Sequence, residues 1–397
     1  MNLGVGELRR TGGIAALIVF GLLLLSGRSG DLLPSQARLG LLLALPIVGL
    51  LFWWRAEPTL VVVYLVFGGL LLRLVDFPPG GAGGSDVLAA VNEGIGVMLG
   101  GGNPYDHVYQ ATRPAGQPLP YPPGALLIHL PGHLWSGLYG VQMTEVVLAG
   151  AAMLLLALLG WVAGSLALAT PAVALYAGLG NLVNLSIDGS NDTGTGALLL
   201  AALVALAWAL RRGARPMELA AAGLLAGVAL SMKQSALPLA LLPAAYLWST
   251  HGRAKATPYL GALVAVIAVV SLPFLAMGPA AFVGRLASFS GLHADLYGWN
   301  VWTFAQSARW PVADVATAGT LTLLVGVIAL LIALAVPYRR LAAAVLAGIA
   351  VTLAAFFAAR WTTYAYFAML APIVLAVPML LASDPKQATL PGSAVAA

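Results

Sequence analysis

The sequence predicts an all-α fold, a polytopic transmembrane helical bundle of about twelve spans. Hydrophobic residues make up 60% of the 397 positions and charged residues only 8%, whereas ordinary soluble domains carry about 25% charged residues. The apolar residues also fall in long Leu/Ala/Val runs without the alternation of a membrane β-barrel. Inside a bilayer only helices and closed barrels satisfy their own backbone groups, so the runs are read as helices. The third observation is a polar, Gly- and Pro-rich, acid-bearing stretch, residues 86–123, set inside this apolar chain. Acids beside membrane spans are costly enough to need a reason.

Taken in order, Arg9 and Arg10 precede an apolar run, residues 14–25, that is short for a span and resembles a signal-peptide core. No small-residue cleavage pattern follows, so the run is read as the first span. With it included, spans are expected near 12–27, 39–54, 58–75, 141–164, 166–185, 194–210, 217–232, 235–250, 257–276, 314–336, 341–359 and 363–382. Residues 1–57 form an N-terminal transmembrane hairpin, 58–382 the main membrane domain with a large loop at 76–140, and 383–397 a disordered polar tail.

Lysine and arginine bias sets the orientation. Arg9, Arg10, Arg55, Arg211, Arg212, Arg215, Arg253, Lys255, Arg339, Arg340 and Lys386 share one side if the spans alternate. That side, with both termini, is the cytoplasm. The acids show the opposite skew, with Asp86, Glu93, Asp106, Glu145, Asp188 and Asp192 at the outer face. Of the outer basic residues, Arg28, Arg38, Arg73, Arg113 and Arg285 read as solvated loop charges. Lys233 interrupts an apolar stretch, residues 219–248, that suits two short helices meeting at Met232-Lys233-Gln234. There it either snorkels or faces an anionic head group. Arg360, beside Trp361 and Tyr364, is either an interfacial anchor or a second such cation.

The 76–140 loop is expected to form a lid of interfacial helices. Ser85-Asp86 opens a helix over 87–99, where Asp86 could serve simply as an N-terminal cap. Glu93 lies seven residues on, roughly on the same helical face, so the two carboxylates are expected to share one site. Asn103-Pro104-Tyr105 is a turn. After Tyr121-Pro122-Pro123 comes a short apolar piece, 124–139, expected to be broken at Pro131 and Gly132 and to lie along the interface. Asp188 and Asp192 sit in Ile187-Asp188-Gly189-Ser190-Asn191-Asp192, either a helix-start loop or a second acidic site. His129 and His133 are four apart without a matching acid between them, which is poor metal spacing.

The order of these motifs resembles the GT-C superfamily of membrane glycosyltransferases, and within it the bacterial polyprenyl-phosphate-mannose-dependent alpha-mannosyltransferases. The residues that carry the resemblance are the loop Asp86, Gly-Gly-Asn-Pro-Tyr ending at Tyr105, Tyr121-Pro122-Pro123, the Met232-Lys233-Gln234 break and Asn300-Val301-Trp302. The likeness runs from about Arg73 to Ala382, leaving the first two spans as extras. It implies a multi-pass protein of the bacterial inner (plasma) membrane, with its active site on the outer face. Asp86 matches the family's general base, Asp188 and Asp192 its second acidic loop, and Lys233 the lysine near the lipid phosphate. Many relatives carry a histidine late in the chain where this sequence has Arg360-Trp361-Thr362-Thr363, so Arg360 and His293 stand as substitutes.

The expected reaction is inverting transfer of a sugar, mannose by resemblance, from a polyprenyl-phosphate donor to a hydroxyl of a glycolipid or cell-envelope glycan acceptor. The leaving phosphate is already stable, so one base and one or two cations are sufficient. Glu93, Asp188, Asp192, Tyr105, Tyr121, Asn300 and Trp302 are the candidate acceptor- or sugar-binding residues, and Trp299 and Trp302 with Tyr297 are either stacking or anchoring aromatics. The sequence requires no cofactor. A divalent cation, magnesium or manganese, would suit Asp86, Asp188 and Asp192. The absence of cysteine excludes thiolate and disulfide chemistry. The absence of a P-loop or dinucleotide fingerprint argues against a cytosolic nucleotide donor. The +5 charge is spread over short loops, which gives nucleic-acid binding no support. The rival readings are a secondary transporter or lipid flippase and a non-catalytic partner in the cell envelope.

Overall fold

The computed structural model describes residues 5–26, 36–55, 57–77, 84–113, 115–287, 297–311, 315–359 and 361–383. They form an all-α bundle. Arg28, His293, Arg360 and nearly all of the 383–397 tail lie outside the described residues, and so do the expectations placed on them.

Helices α1 (Val5–Ser26), α2 (Gln36–Arg55) and α3 (Pro58–Val75) come first. Pro58 at the first helical position and Glu57 before it start α3, the Glu57 carboxylate accepting the Thr59 N–H at 3.3 Å. Helix α4 (Val87–Leu99) follows, then α5 (Gly124–Val162), α6 (Leu166–Gly178), α7 (Gly180–Leu185), α8 (Asp192–Arg211) and α9 (Pro216–Met232). After a short 3₁₀ turn (Gln234–Ala236) come α10 (Leu237–His251), α11 (Arg253–Met277), α12 (Pro279–Ala287), α13 (Val301–Ser307), α14 (Val315–Ala335), α15 (Leu341–Ala358) and α16 (Tyr366–Ala382). Two short strands, β1 (Tyr297–Gly298) and β2 (Trp361–Thr362), pair in parallel.

Among the described residues, seven helices are long and apolar enough to cross a membrane: α2, α3, α5, α8, α11, α15 and the Arg9–Ser26 part of α1. Burial ranks them. About 72% of the apolar window of α8 is inside the protein, against 17% for α2 and 11% for α11. Helix α8 is therefore central, while α2 and α11 present apolar exteriors, as helices bathed in hydrocarbon do. Lipid tails are as apolar as leucine, so bundle cohesion depends on close packing of small residues. Ala222, Ala226 and Ala229 of α9 are wholly buried where that helix lies against α8 and α11.

The elements depart from the expected ones at three places. The 166–185 segment is two helices, because the chain turns extended at Leu179. Arg73 secures that break: it is fully buried, and its guanidinium donates to the carbonyls of Tyr176, Ala177 and Gly69 and to Ser186 Oγ at 2.8–3.2 Å. It is no solvated loop charge, and neither is Arg38, which is buried and pairs with Asp76 at 3.2 Å. Third, the piece beginning at Gly124 runs helical through Pro131 and Gly132 and breaks at Ser136-Gly137, where Gly137 has φ 55°. The chain then doubles back. Gly132 meets the returning leg so closely that a Cβ there would lie 2.3 Å from the Gly140 carbonyl oxygen, which makes it a contact residue and not a breaker.

Two cores result. The large one is built mainly from α1, α3, α5, α6, α8, α9, α10, α15 and α16, with single or few residues from α2, α7, α11 and α14. The smaller one joins α4, the 105–121 strap, the first leg of α5 and residues from α9, α11 and α12, around Tyr105, Tyr109, Leu126, Met232 and Phe274. This second core holds the functional region in place.

Candidate functional site

A cavity of about 440 Å³ opens where six chain segments meet. These are the start of α4, the strap after α4, the α7–α8 loop, the α9–α10 break, Tyr297 and the start of α16. Asp86, Asp188, Asp192, Lys233 and Tyr121, chosen from the sequence, all line it.

Asp86 is half-buried in the turn before α4 and makes no side-chain cap, contrary to the simplest expectation. Its Oδ2 accepts the Arg113 N–H at 2.5 Å instead. Asp188 is held beside it by backbone stitching. Ser85 N–H donates to the Asp188 carbonyl at 2.7 Å and Leu88 N–H to the Gly189 carbonyl at 2.8 Å. Gly189, at φ 91°, is required there, since a Cβ would lie 2.7 Å from the Ser85 carbonyl oxygen. Burial pushes the Asp188 carboxyl up to about 6, against the opposing hydrogen bond from Ser190 N–H at 2.8 Å.

Lys233 occupies the expected helix break, extended at φ −154°, between the end of α9 and the 3₁₀ turn. Its Nζ donates to Asp192 Oδ1 at 2.7 Å and Asn191 Oδ1 at 3.2 Å, and lies 4.9 Å and 5.6 Å from the ring centres of Tyr366 and Tyr121. An ammonium has three N–H donors, so two are engaged by α8 and its cap. The paired charges and two aromatic faces make burial tolerable. The strap closes over this pair: Gln234 Nε2 donates to the Pro120 carbonyl at 3.1 Å.

The remaining sequence candidates stand elsewhere. Glu93 does not line the cavity with Asp86. Its carboxylate takes the strap, accepting Gln110 N–H at 3.1 Å and Ala111 N–H at 2.9 Å, with His107 Nε2 at 2.7 Å. Tyr105 is fully buried, its hydroxyl donating to the Tyr121 carbonyl at 2.9 Å. Asn300 caps α13, accepting from Trp302 N–H and Thr303 N–H, and Trp302 Nε1 donates to the Ala358 carbonyl at 2.7 Å. Asn300 lines a second cavity, about 570 Å³ and mostly apolar, with Trp299, Phe304, Phe356, Phe357 and Phe367. The β1–β2 pair bridges the two, since Tyr297 lines the first cavity and Gly298 the second.

Several participants are new. Arg113 and Gln117 line the polar cavity from the strap, and Tyr366 does so from α16. His129 and Glu145 form a pair at 3.0 Å with both side chains buried. The signal for Glu145 was present, an acid within an apolar span. Nothing in the residue pattern singles out Tyr366.

Among the described residues, no group of three or more His, Asp or Glu side chains is arranged to hold a metal. Asp192 is engaged by Lys233 and Asp188 by Ser190, so these two with Asp86 are not a ready-made three-carboxylate set. No family model, no curated protein and no solved structure matches the chain.

Proposed function

We propose that the protein is a GT-C-type integral membrane glycosyltransferase that moves a sugar, mannose by resemblance, from a polyprenyl phosphate to a hydroxyl of a glycolipid or cell-envelope glycan. The observation that carries this reading is the convergence of Asp86, Asp188 and Lys233 on one cavity from three distant segments. Asp86 is the base. It removes the acceptor proton as the hydroxyl oxygen attacks the anomeric carbon, the bond to the phosphate oxygen breaks on the opposite side, and configuration inverts. Lys233 supplies positive charge to the departing phosphate, and Arg113 at the strap adds a second cation near the mouth. No step needs a metal. The apolar, aromatic second cavity suits the prenyl chain, with the head group in the polar one.

In the same reading the helices make twelve crossings, with α4 and the first leg of α5 as a lid. The lysine and arginine bias supports cytoplasmic termini and an outward-facing cavity, and the resemblance implies a bacterial inner membrane. The test is sugar transfer by purified protein in lipid nanodiscs, with radiolabelled polyprenyl-phosphate mannose and a membrane glycolipid extract. Transfer that disappears in Asp86→Asn while donor binding persists supports the reading, and wild-type turnover in that variant defeats it. A buried ion pair at a helix break also suits a transporter. Vesicle flux of the lipid without sugar transfer would favour that second reading.

A further inference from the structure

Helix α8 begins without the cap its sequence offers. Asn191 is its N-cap residue, and an asparagine there ordinarily accepts the N–H of the second or third helical residue. Its side chain makes no such bond: the Asn191 backbone, at φ −102° and ψ 15°, is outside the extended geometry usual at an N-cap, and its Oδ1 lies 3.2 Å from Lys233 Nζ. The third residue, Gly194, donates its N–H instead to Glu145 Oε2, 2.6 Å away on α5. Glu145 is 1% exposed, so this carboxylate is committed to the helix start, where negative charge is also favoured by the helix dipole.

Two further features build this contact. Gly194 admits the carboxylate, since a Cβ there would stand 2.6 Å from Glu145 Oε1. His129, fully buried on the first leg of α5, orients it: His129 Nδ1 is 2.7 Å from the Ala125 carbonyl and Nε2 3.0 Å from Glu145 Oε1. A carbonyl can only accept, so Nδ1 carries a hydrogen, and Nε2 and Oε1 share one proton between them.

We infer that Glu145 is a positioning residue that caps α8 from another helix and thereby releases the Asn191 side chain to hold Lys233 in the cavity. Asn191 has one side-chain oxygen and two competing donors, the Lys233 ammonium that it meets at 3.2 Å and the Gly194 N–H that an N-cap side chain ordinarily takes. Glu145 decides between them. When Glu145 is lost, Asn191 turns back to cap its own helix and Lys233 loses one of its two partners on α8. The consequence for ligand binding rests on reading the cavity as a lipid-phosphate site; the capping arrangement does not.

The experiment uses the full-length protein in nanodiscs, with amide hydrogen exchange of residues 192–196 and binding of unlabelled polyprenyl phosphate as separate readouts. Glu145→Ala and Gly194→Ala attack the contact from its two sides. Each should weaken binding about tenfold, the scale of a buried donor losing its partner, and alter exchange at 192–196 without comparable change elsewhere. Glu145→Gln keeps an oxygen for Gly194 and an amide for His129, so it should stay within about twofold of wild type. The double variant should be no worse than Glu145→Ala alone, and Asn191→Ala should add no further loss of binding to it while quickening exchange at 192–196, because the substitute cap is then gone. Unchanged binding and exchange in Glu145→Ala would overturn the inference, as would Glu145→Gln behaving like Glu145→Ala. If the wild type binds no polyprenyl phosphate but 192–196 exchange follows the expected order, the proposed function fails and the cap stands.

Discussion

Lys233 Nζ lies 2.7 Å from Asp192 Oδ1, and the two side chains are 4% and 1% exposed. Each charge is the condition for burying the other. Removing one leaves an uncompensated buried ion, which typically costs about 3–5 kcal/mol, whereas replacing both can be nearly neutral. Lys233→Met should therefore lower the thermal unfolding midpoint sharply, and Lys233→Met combined with Asp192→Asn should recover most of the loss. Lipid-phosphate binding should remain low in both. A double variant that recovers stability and binding together would show that Lys233 serves the fold alone.

Asp86, which lines the cavity, accepts the Arg113 N–H through Oδ2, and no bond to its other oxygen is made among the described residues. An asparagine can still accept that N–H, so Asp86→Asn should leave the strap seated and the protein stable. It cannot take a proton at neutral pH. Transfer should fall by about 10²–10⁴-fold, the usual contribution of a positioned base, with donor affinity unchanged. Turnover against donor binding in the same nanodiscs checks both halves.

The all-α bundle was legible because the length of the apolar runs reports on helices directly. The break at Lys233 was legible too, since a lysine inside an apolar stretch has few other places to be. What local pattern could not show is which side chains meet across the chain. Asp86 sits at the start of the helix that carries Glu93, yet Glu93 turns to the strap, where the Gln110 and Ala111 N–H groups donate to it. Arg73 resembles a loop charge by position, but the helix break at Leu179 leaves carbonyls that its guanidinium satisfies. Glu145 and His129 lie sixteen residues apart and meet only because the chain folds back at Gly137.

Asp188 should make stability fall as pH rises. Burial raises its carboxyl from 3.8 to about 6, so between those values the folded protein holds a proton that the unfolded chain has released. Its contribution is largest below about pH 4 and is lost as pH climbs to about 6, falling by roughly 1.4 kcal/mol for each pH step of one between them. Asp188→Asn should flatten that part of the profile. If Asp188 must be ionised to bind a sugar hydroxyl, transfer by the wild type should decline below about pH 6. Stability and activity then move in opposite directions across one window. Thermal midpoints and initial rates measured from pH 4 to 8 in both proteins would separate the two effects.

Glu93 predicts the reverse sign. Burial alone would raise its carboxyl, but the hydrogen bonds from His107, Ala111 and Gln110 outweigh it and hold the group below the ordinary carboxylate range. Its contribution is therefore present above the unfolded value of 4.5 and is lost as pH falls through the lower folded one. The strap it anchors carries the Arg113 N–H that Asp86 accepts and the Thr112 and Gln117 walls of the cavity. Glu93→Ala should leave the bundle intact, speed amide exchange at Gln110 and Ala111, and lower transfer about tenfold through a misplaced base. Glu93→Gln keeps one acceptor oxygen and should fall between the two. Exchange that quickens while transfer holds at the wild-type rate would separate the strap from the chemistry, leaving Asp86 positioned by its stitching to the α7–α8 loop alone.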